Sequence, residues 1–174
     1  MKGTSRNSVS LAGEFAVLSQ LALRGYDANM TLGHTKGVDI LVSNPKNGKS
    51  YQLEVKTTCT NSRNKASVSK LWGESIGSWI MNKNHERVVS PKLFYCFVTI
   101  SKDDRSFSFY IVPNKVVARY VAEQHKLWLR EKKKQGKKVK DTHMRTFQIG
   151  LKGQEYPMAT PTAEQYEDNW RFAD

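Results

Sequence analysis

The chain is poor in cysteine, in proline and in acid. Cys59 and Cys96 are its whole thiol inventory. Two cysteines build no disulfide framework, and no His/Cys spacing resembles a zinc site. The reading is two reduced thiols with Cys96 in a core strand, although a bridge across a sheet stays open. Five prolines and eleven glycines among 174 residues form no linker, and no repeat is visible. A single domain is therefore expected, with its core over 8–112 and a basic helix and tail over 113–174. Long apolar runs are missing as well. No segment approaches the roughly 20 residues of a membrane span. The first fifteen residues lack the apolar stretch of a secretory signal. The expectation is a cytoplasmic protein without a membrane partner.

The scarcity of acid carries the first functional hint. Lys and Arg number 28 against 16 Asp and Glu, a net charge of +12. Such a surplus favours polyanionic partners, nucleic acid before anionic membrane. It is unevenly spread. Residues 126–140 hold eight bases and one acid, whereas from 155 onward five acids stand against Arg171. A basic surface and a separate acidic end follow.

Periodicity supplies the elements. Leu11, Phe15, Leu18, Leu21 and Ala22 recur at helical spacing and predict a helix over about 8–24, with Ser8 or Ser10 to cap it and Gly25 to end it. A weak strand at 26–32 precedes a strong one at 37–42. The Asn-Gly turn of 44–49 leads to a strand at 51–58, so the last two pair as a hairpin. Residues 59–70 read as a polar loop. Residues 70–86 read as a helix interrupted by Gly73 and Gly77 and anchored by Trp72, Ile76, Trp79 and Ile80. Strands at 92–101 and 106–113 form a second hairpin, and a long helix follows over about 114–135.

Within the first hairpin lie three ionisable residues where apolar ones belong. Glu54 and Lys56 are two apart in one strand and share a face. Asp39 lies in the neighbouring strand. A buried carboxylate is costly unless it is paired or bound to a metal. In a suitable register Asp39 and Glu54 converge, and a divalent cation relieves their repulsion. Oxygen donors of this kind suit Mg²⁺ or Mn²⁺. Glu14 adds a third acid on the apolar stripe of the first helix, facing the sheet. A metal held by Glu14, Asp39 and Glu54 would polarise a phosphate and acidify a bound water. Lys56 could orient or deprotonate that water, or offset charge building on phosphorus.

The stretches GEFAVLSQLALRGYDANMT, GVDILV and QLEVKTT together resemble the PD-(D/E)XK nuclease superfamily, nearest to small Holliday junction resolvases and restriction-like endonucleases. The matching positions are Glu14, Asp39, Glu54 and Lys56, over about a third of the chain. Val38 stands where the family pattern has proline. The resemblance implies an α/β fold with an αβββαβ core, a mixed central sheet flanked by helices, followed here by a C-terminal helical extension. It implies Mg²⁺-dependent hydrolysis of DNA phosphodiesters and, by analogy, a homodimer. The alternative is a nucleic-acid-binding module that uses the same fold without turnover. Candidate phosphate contacts are Lys36 beside Asp39, Arg63 and Lys65 in the polar loop, and Lys132, Lys133, Lys134, Lys137 and Lys138 in the basic run. Trp72 and Trp79 read as core anchors.

Overall fold

A computed structural model describes residues 4–31, 37–60, 67–87, 89–151 and 157–172. Along the chain run α1 (Arg6–Leu23), β1 (Asp27–Met30), β2 (Ile40–Asn44), β3 (Lys49–Thr60), β4 (Ser67–Ser69), β5 (Gly73–Asn82), a 3₁₀ turn (Lys83–Glu86), β6 (Leu93–Ser101), β7 (Phe107–Pro113), α2 (Asn114–Lys134), β8 (Met144–Gly150) and the one-turn α3 (Ala163–Tyr166). Strands β1-β2-β3-β6-β7 form a central sheet in that order. The β3–β6 pair is parallel and the others are antiparallel, so the sheet is mixed. Every residue of β6 is buried, as a strand covered on both faces must be.

One face of the sheet is covered by α1. Val17 and Leu21 pack there on Ile40, Leu53, Val55, Cys96 and Val98. The other face carries Tyr95, Phe97, Tyr110 and Val112. It is covered by α2, through Val117 and Val121, and by a second sheet ordered β4-β5-β8, through Trp79, Phe147 and Ile149. The two faces of β3 therefore meet two different layers. Leu53 and Val55 turn toward α1, whereas Glu54 and Lys56 lie in register with Tyr95 and Phe97 and turn toward the second layer.

The mixed α/β class holds, and three sequence expectations are corrected. Residues 70–86 are not a helix. β5 buries Ser75, Gly77, Trp79 and Met81 in strict alternation, a period of two that the apolar residues alone disguise as a helical one. Gly77 is small because the Trp79 ring lies where a Cβ would stand. The crossover between parallel β3 and β6 is thus made by β4, β5 and the 3₁₀ turn, in place of the helix of an αβββαβ core. The C-terminal extension is only partly helical, since β8 returns to pair with β5.

The third correction concerns α1. It starts earlier, with Ser5 as its N-cap, and Gly25 follows its end. Its packed line is Gly13, Val17 and Leu21, whereas Leu11 and Phe15 are 46% and 56% exposed. The cause is Gly13, whose missing side chain lets the helix settle directly onto Thr57 of β3. That contact rotates the helix and turns the larger apolar residues outward.

The tail completes the first layer. Trp170 and Phe172 enter the core under α1, where Phe172 stacks on Tyr51 and meets Tyr26 and Phe94 edge-on. The Tyr26 hydroxyl donates to the Trp170 carbonyl at 2.9 Å.

Candidate active site

The β2–β3 hairpin is in register with Ile40 opposite Leu53, so Asp39 falls opposite Glu54 where the two strands part. The Asp39 amide donates to the Leu53 carbonyl at 2.7 Å. Beyond that point the side chain replaces the ladder: Asp39 Oδ2 accepts from the Val55 N–H at 2.7 Å. Asp39 is half-buried. Burial holds its carboxyl above the usual value, and the Val55 hydrogen bond and the Lys56 charge oppose this.

Glu54 is the centre of the cluster. It is 6% exposed, yet three donors face it. Lys56 Nζ lies 2.5 Å and His85 Nε2 lies 3.0 Å from Glu54 Oε1. The Tyr95 phenol hydrogen-bonds the same carboxylate, and burial followed by the Glu54 charge raises its pKa. Burial alone would push the Glu54 carboxyl up. The His85 hydrogen bond and the Lys56 charge outweigh it and hold the group at about 2. Glu54 is therefore a buried carboxylate ionised at neutral pH.

His85 comes from the 3₁₀ turn, and its placement follows from a cap. The Asn82 side chain accepts from the Asn84 N–H at 2.9 Å, and the Asn82 N–H donates to His85 Nδ1 at 3.1 Å. Nδ1 also lies 3.1 Å from the Asn82 carbonyl, so the proton is fixed at the other end of the ring: an ionised Glu54 only accepts, and Nε2–H donates to it. The turn is fixed from its other side by the buried Arg145 of β8, whose Nε donates to Glu86.

Glu14 stands apart from this cluster. It is half-buried, accepts from the Ser10 hydroxyl at 3.2 Å, and belongs to the helix that packs on the Leu53–Val55–Thr57 face. Among the described residues no group of three or more His, Cys, Asp and Glu side chains gathers as a metal cage. The structure thus brings together Asp39, Glu54 and Lys56, adds His85 and Tyr95, and leaves Glu14 on the other layer. Lys36, Arg63 and Lys65 lie outside the described residues. Lys132, Lys133 and Lys134 form the last turn of α2, where cations complement the helix dipole. Lys134 pairs with Glu131 at 2.9 Å, and Lys132 lies over the Trp128 ring at 5.9 Å. Lys137 and Lys138 follow in exposed coil. Trp79 is a core anchor, its indole N–H donating to the Val98 carbonyl at 3.0 Å, and both thiols are free.

His85 and Tyr95 escape sequence reasoning. His85 lies 31 residues from Glu54 in a segment that reads as helix, and Tyr95 lies within an unbroken buried strand. An Asn-x-x-His spacing, which allows the cap, is the one local signal.

These features define a mixed α/β protein with a charged cluster where a hairpin opens. No protein-family model and no curated protein matches the chain. Among solved structures it is similar to a bacterial homing endonuclease, I-Ssp6803I. That match has 14% identity and a TM-score of 0.51 and covers 95% of this chain and 88% of the other. At that identity the likeness is one of fold.

Proposed function

We propose that this chain is a metal-dependent endonuclease that hydrolyses DNA phosphodiester bonds. The observation that carries the reading is a buried, ionised Glu54 with Lys56 on one oxygen and Asp39 across the hairpin. The fold is shared with a homing endonuclease, and the +12 charge suits a polyanionic substrate.

The donor set fits a hard cation. A carboxylate offers about four acceptor sites, and three donors engage Glu54, which leaves one. Gly37 lies over its other oxygen, Oε2, with no side chain to cover it. Asp39 uses one oxygen on Val55, and its second completes an oxygen-only pair. His85 Nε2 is committed to Glu54, so nitrogen is not offered and Mg²⁺ or Mn²⁺ is favoured over zinc. Asp39 and Glu54 would hold that ion, and Glu14, on the other layer, takes no part. When bound, the ion supplies a polarised phosphoryl oxygen and an acidified water. The chain's own contribution is positional. His85 and Tyr95 keep Glu54 charged and oriented. Lys56, 29% exposed, can swing from Glu54 to a phosphate oxygen or to the attacking water. A homodimer would present one such site to each strand of a duplex.

A second reading has its own observation. Three protein donors already engage Glu54 and, among the described residues, no third acid joins it, as in a module that binds nucleic acid without turnover. Plasmid and branched DNA, incubated with the protein in Mg²⁺ or EDTA beside a Glu54→Ala variant, separate the two. Metal-dependent cutting that the variant loses supports the enzyme. Gel shifts with no cutting on any substrate support the module.

A further inference from the structure

We infer that the cleft along the open side of β3 is the track for a nucleic-acid backbone, with Arg6, Lys56 and Lys102 meeting its phosphates. The inference rests on the nucleic-acid reading above and names where the strand lies.

The cleft exists because β2 stops early. Its register with β3 ends at Ile40 opposite Leu53, whereas β3 continues to Thr60 with β6 on its other side. Among the described residues, no strand pairs with the β2 side of β3 from Glu54 to Thr60. Residues of β3 present backbone groups to alternate sides. The amide of Gln52 turns toward β6, since it donates to the Lys92 carbonyl at 2.9 Å, whereas the amide of Val55 turns toward β2 and is taken by Asp39. The amides of Thr57 and Cys59 continue on the Val55 side and face the opening.

A cleft of ≈ 750 Å³ occupies this opening, bounded by the start of α1, by β3 and by β5. Its lining includes Arg6, Lys56 and Lys102 and, among the described residues, no Asp or Glu. The first turn of α1 likewise carries no acid. Threonines and Asn7 add neutral donors, and Ile80, 74% exposed, offers an apolar patch for a sugar or base. Cations, outward amides and the absence of competing carboxylates are what a phosphodiester chain requires. Lys56 belongs to both the cleft and the Glu54 cluster, so a strand lying here delivers a phosphate to the proposed site. The basic run of 126–140 lines none of it.

Binding of a labelled duplex in EDTA, where nothing is cut, tests the track. The Arg6→Ala/Lys102→Ala variant changes two exposed side chains and leaves the core intact. Each phosphate contact contributes about 0.9 to the slope of log affinity against log salt, so the variant should lose about 2 from that slope and bind about tenfold more weakly. Lys132→Ala/Lys133→Ala/Lys134→Ala should retain the wild-type slope. Cys59 lines the cleft while Cys96 is fully buried, so maleimide reports on one thiol. DNA at about ten times its Kd should slow alkylation of Cys59 about tenfold, because only the free fraction reacts. An unchanged slope in the double variant, or an alkylation rate indifferent to DNA, overturns the inference. Cleft binding without cutting in Mg²⁺ would instead sink the nuclease reading and leave the track standing.

Discussion

Glu54 owes its ionised state to its neighbours, and that has a measurable cost in acid. Its carboxyl falls from an ordinary 4.5 to about 2, so the folded chain binds fewer protons there than the unfolded chain. Its contribution to stability is complete above pH 4.5 and disappears as the pH falls through about 2. Urea unfolding should find Glu54→Gln less stable than wild type by up to about 3 kcal/mol at pH 7, with the gap closing toward pH 2. His85→Ala should cost about 1–3 kcal/mol, because it strips a donor from a buried charge. His85→Gln restores an N–H and should recover much of that loss and of any cleavage rate. If Ala and Gln behave alike in both assays, the ring is only filler. At this scale the sequence discloses that Asp39, Glu54 and Lys56 occupy adjoining strands, because a charge within an apolar run is conspicuous. It does not disclose His85, whose part depends on a cap and on a crossover with no local signature.

Among the elements, two contacts set the geometry of the cluster. Gly13 lets α1 lie on Thr57. Gly13→Ala forces the helix and strand apart and should destabilise by about 1–3 kcal/mol, an overpacking cost that Thr57→Ala should largely relieve. Arg145 ties β8 to the 3₁₀ turn through Glu86 and also donates to the Thr142 carbonyl at 2.6 Å. Glu86→Gln removes one of the two carboxylates that face a buried guanidinium, Asp141 being the other at 3.4 Å, and should cost about 1–3 kcal/mol. It should also broaden the His85 ring resonances in NMR if the turn positions that ring. The strands and helices with a single clear period, β2, β3, β6, β7 and α2, are legible in the sequence. β5 is not, because Trp72, Ile76, Trp79 and Ile80 satisfy a helical spacing while its true alternation runs through Ser75 and Gly77. The rotation of α1 is hidden for a related reason: a glycine that invites contact outranks a leucine that would merely prefer it.

At the scale of the molecule, the proposed metal site would link metal binding to folding. An ion held by Asp39 and Glu54 binds only the folded chain, so Mg²⁺ at one hundred times its Kd should add about 2.7 kcal/mol of stability. Calorimetry should show a Tm that rises with Mg²⁺ and returns with EDTA. In Asp39→Asn the metal should have no effect, and a wild-type Tm indifferent to Mg²⁺ and Mn²⁺ would remove the cation from the proposal. The net charge, by contrast, favours an anionic partner and no more. It cannot say which face receives it, since the densest basic run and the acid-free cleft are separate surfaces.

The aromatic contacts of Trp170 and Phe172 join the end of the described chain to its beginning. Tyr26, Tyr51 and Phe94 emerge early from the ribosome but find their last partners only after residue 172 has cleared the exit tunnel. Closure of that layer must therefore wait until Trp170 and Phe172 are free of the ribosome. Until then a nascent chain displays an unsealed aromatic surface, and its exposure time is set by translation speed.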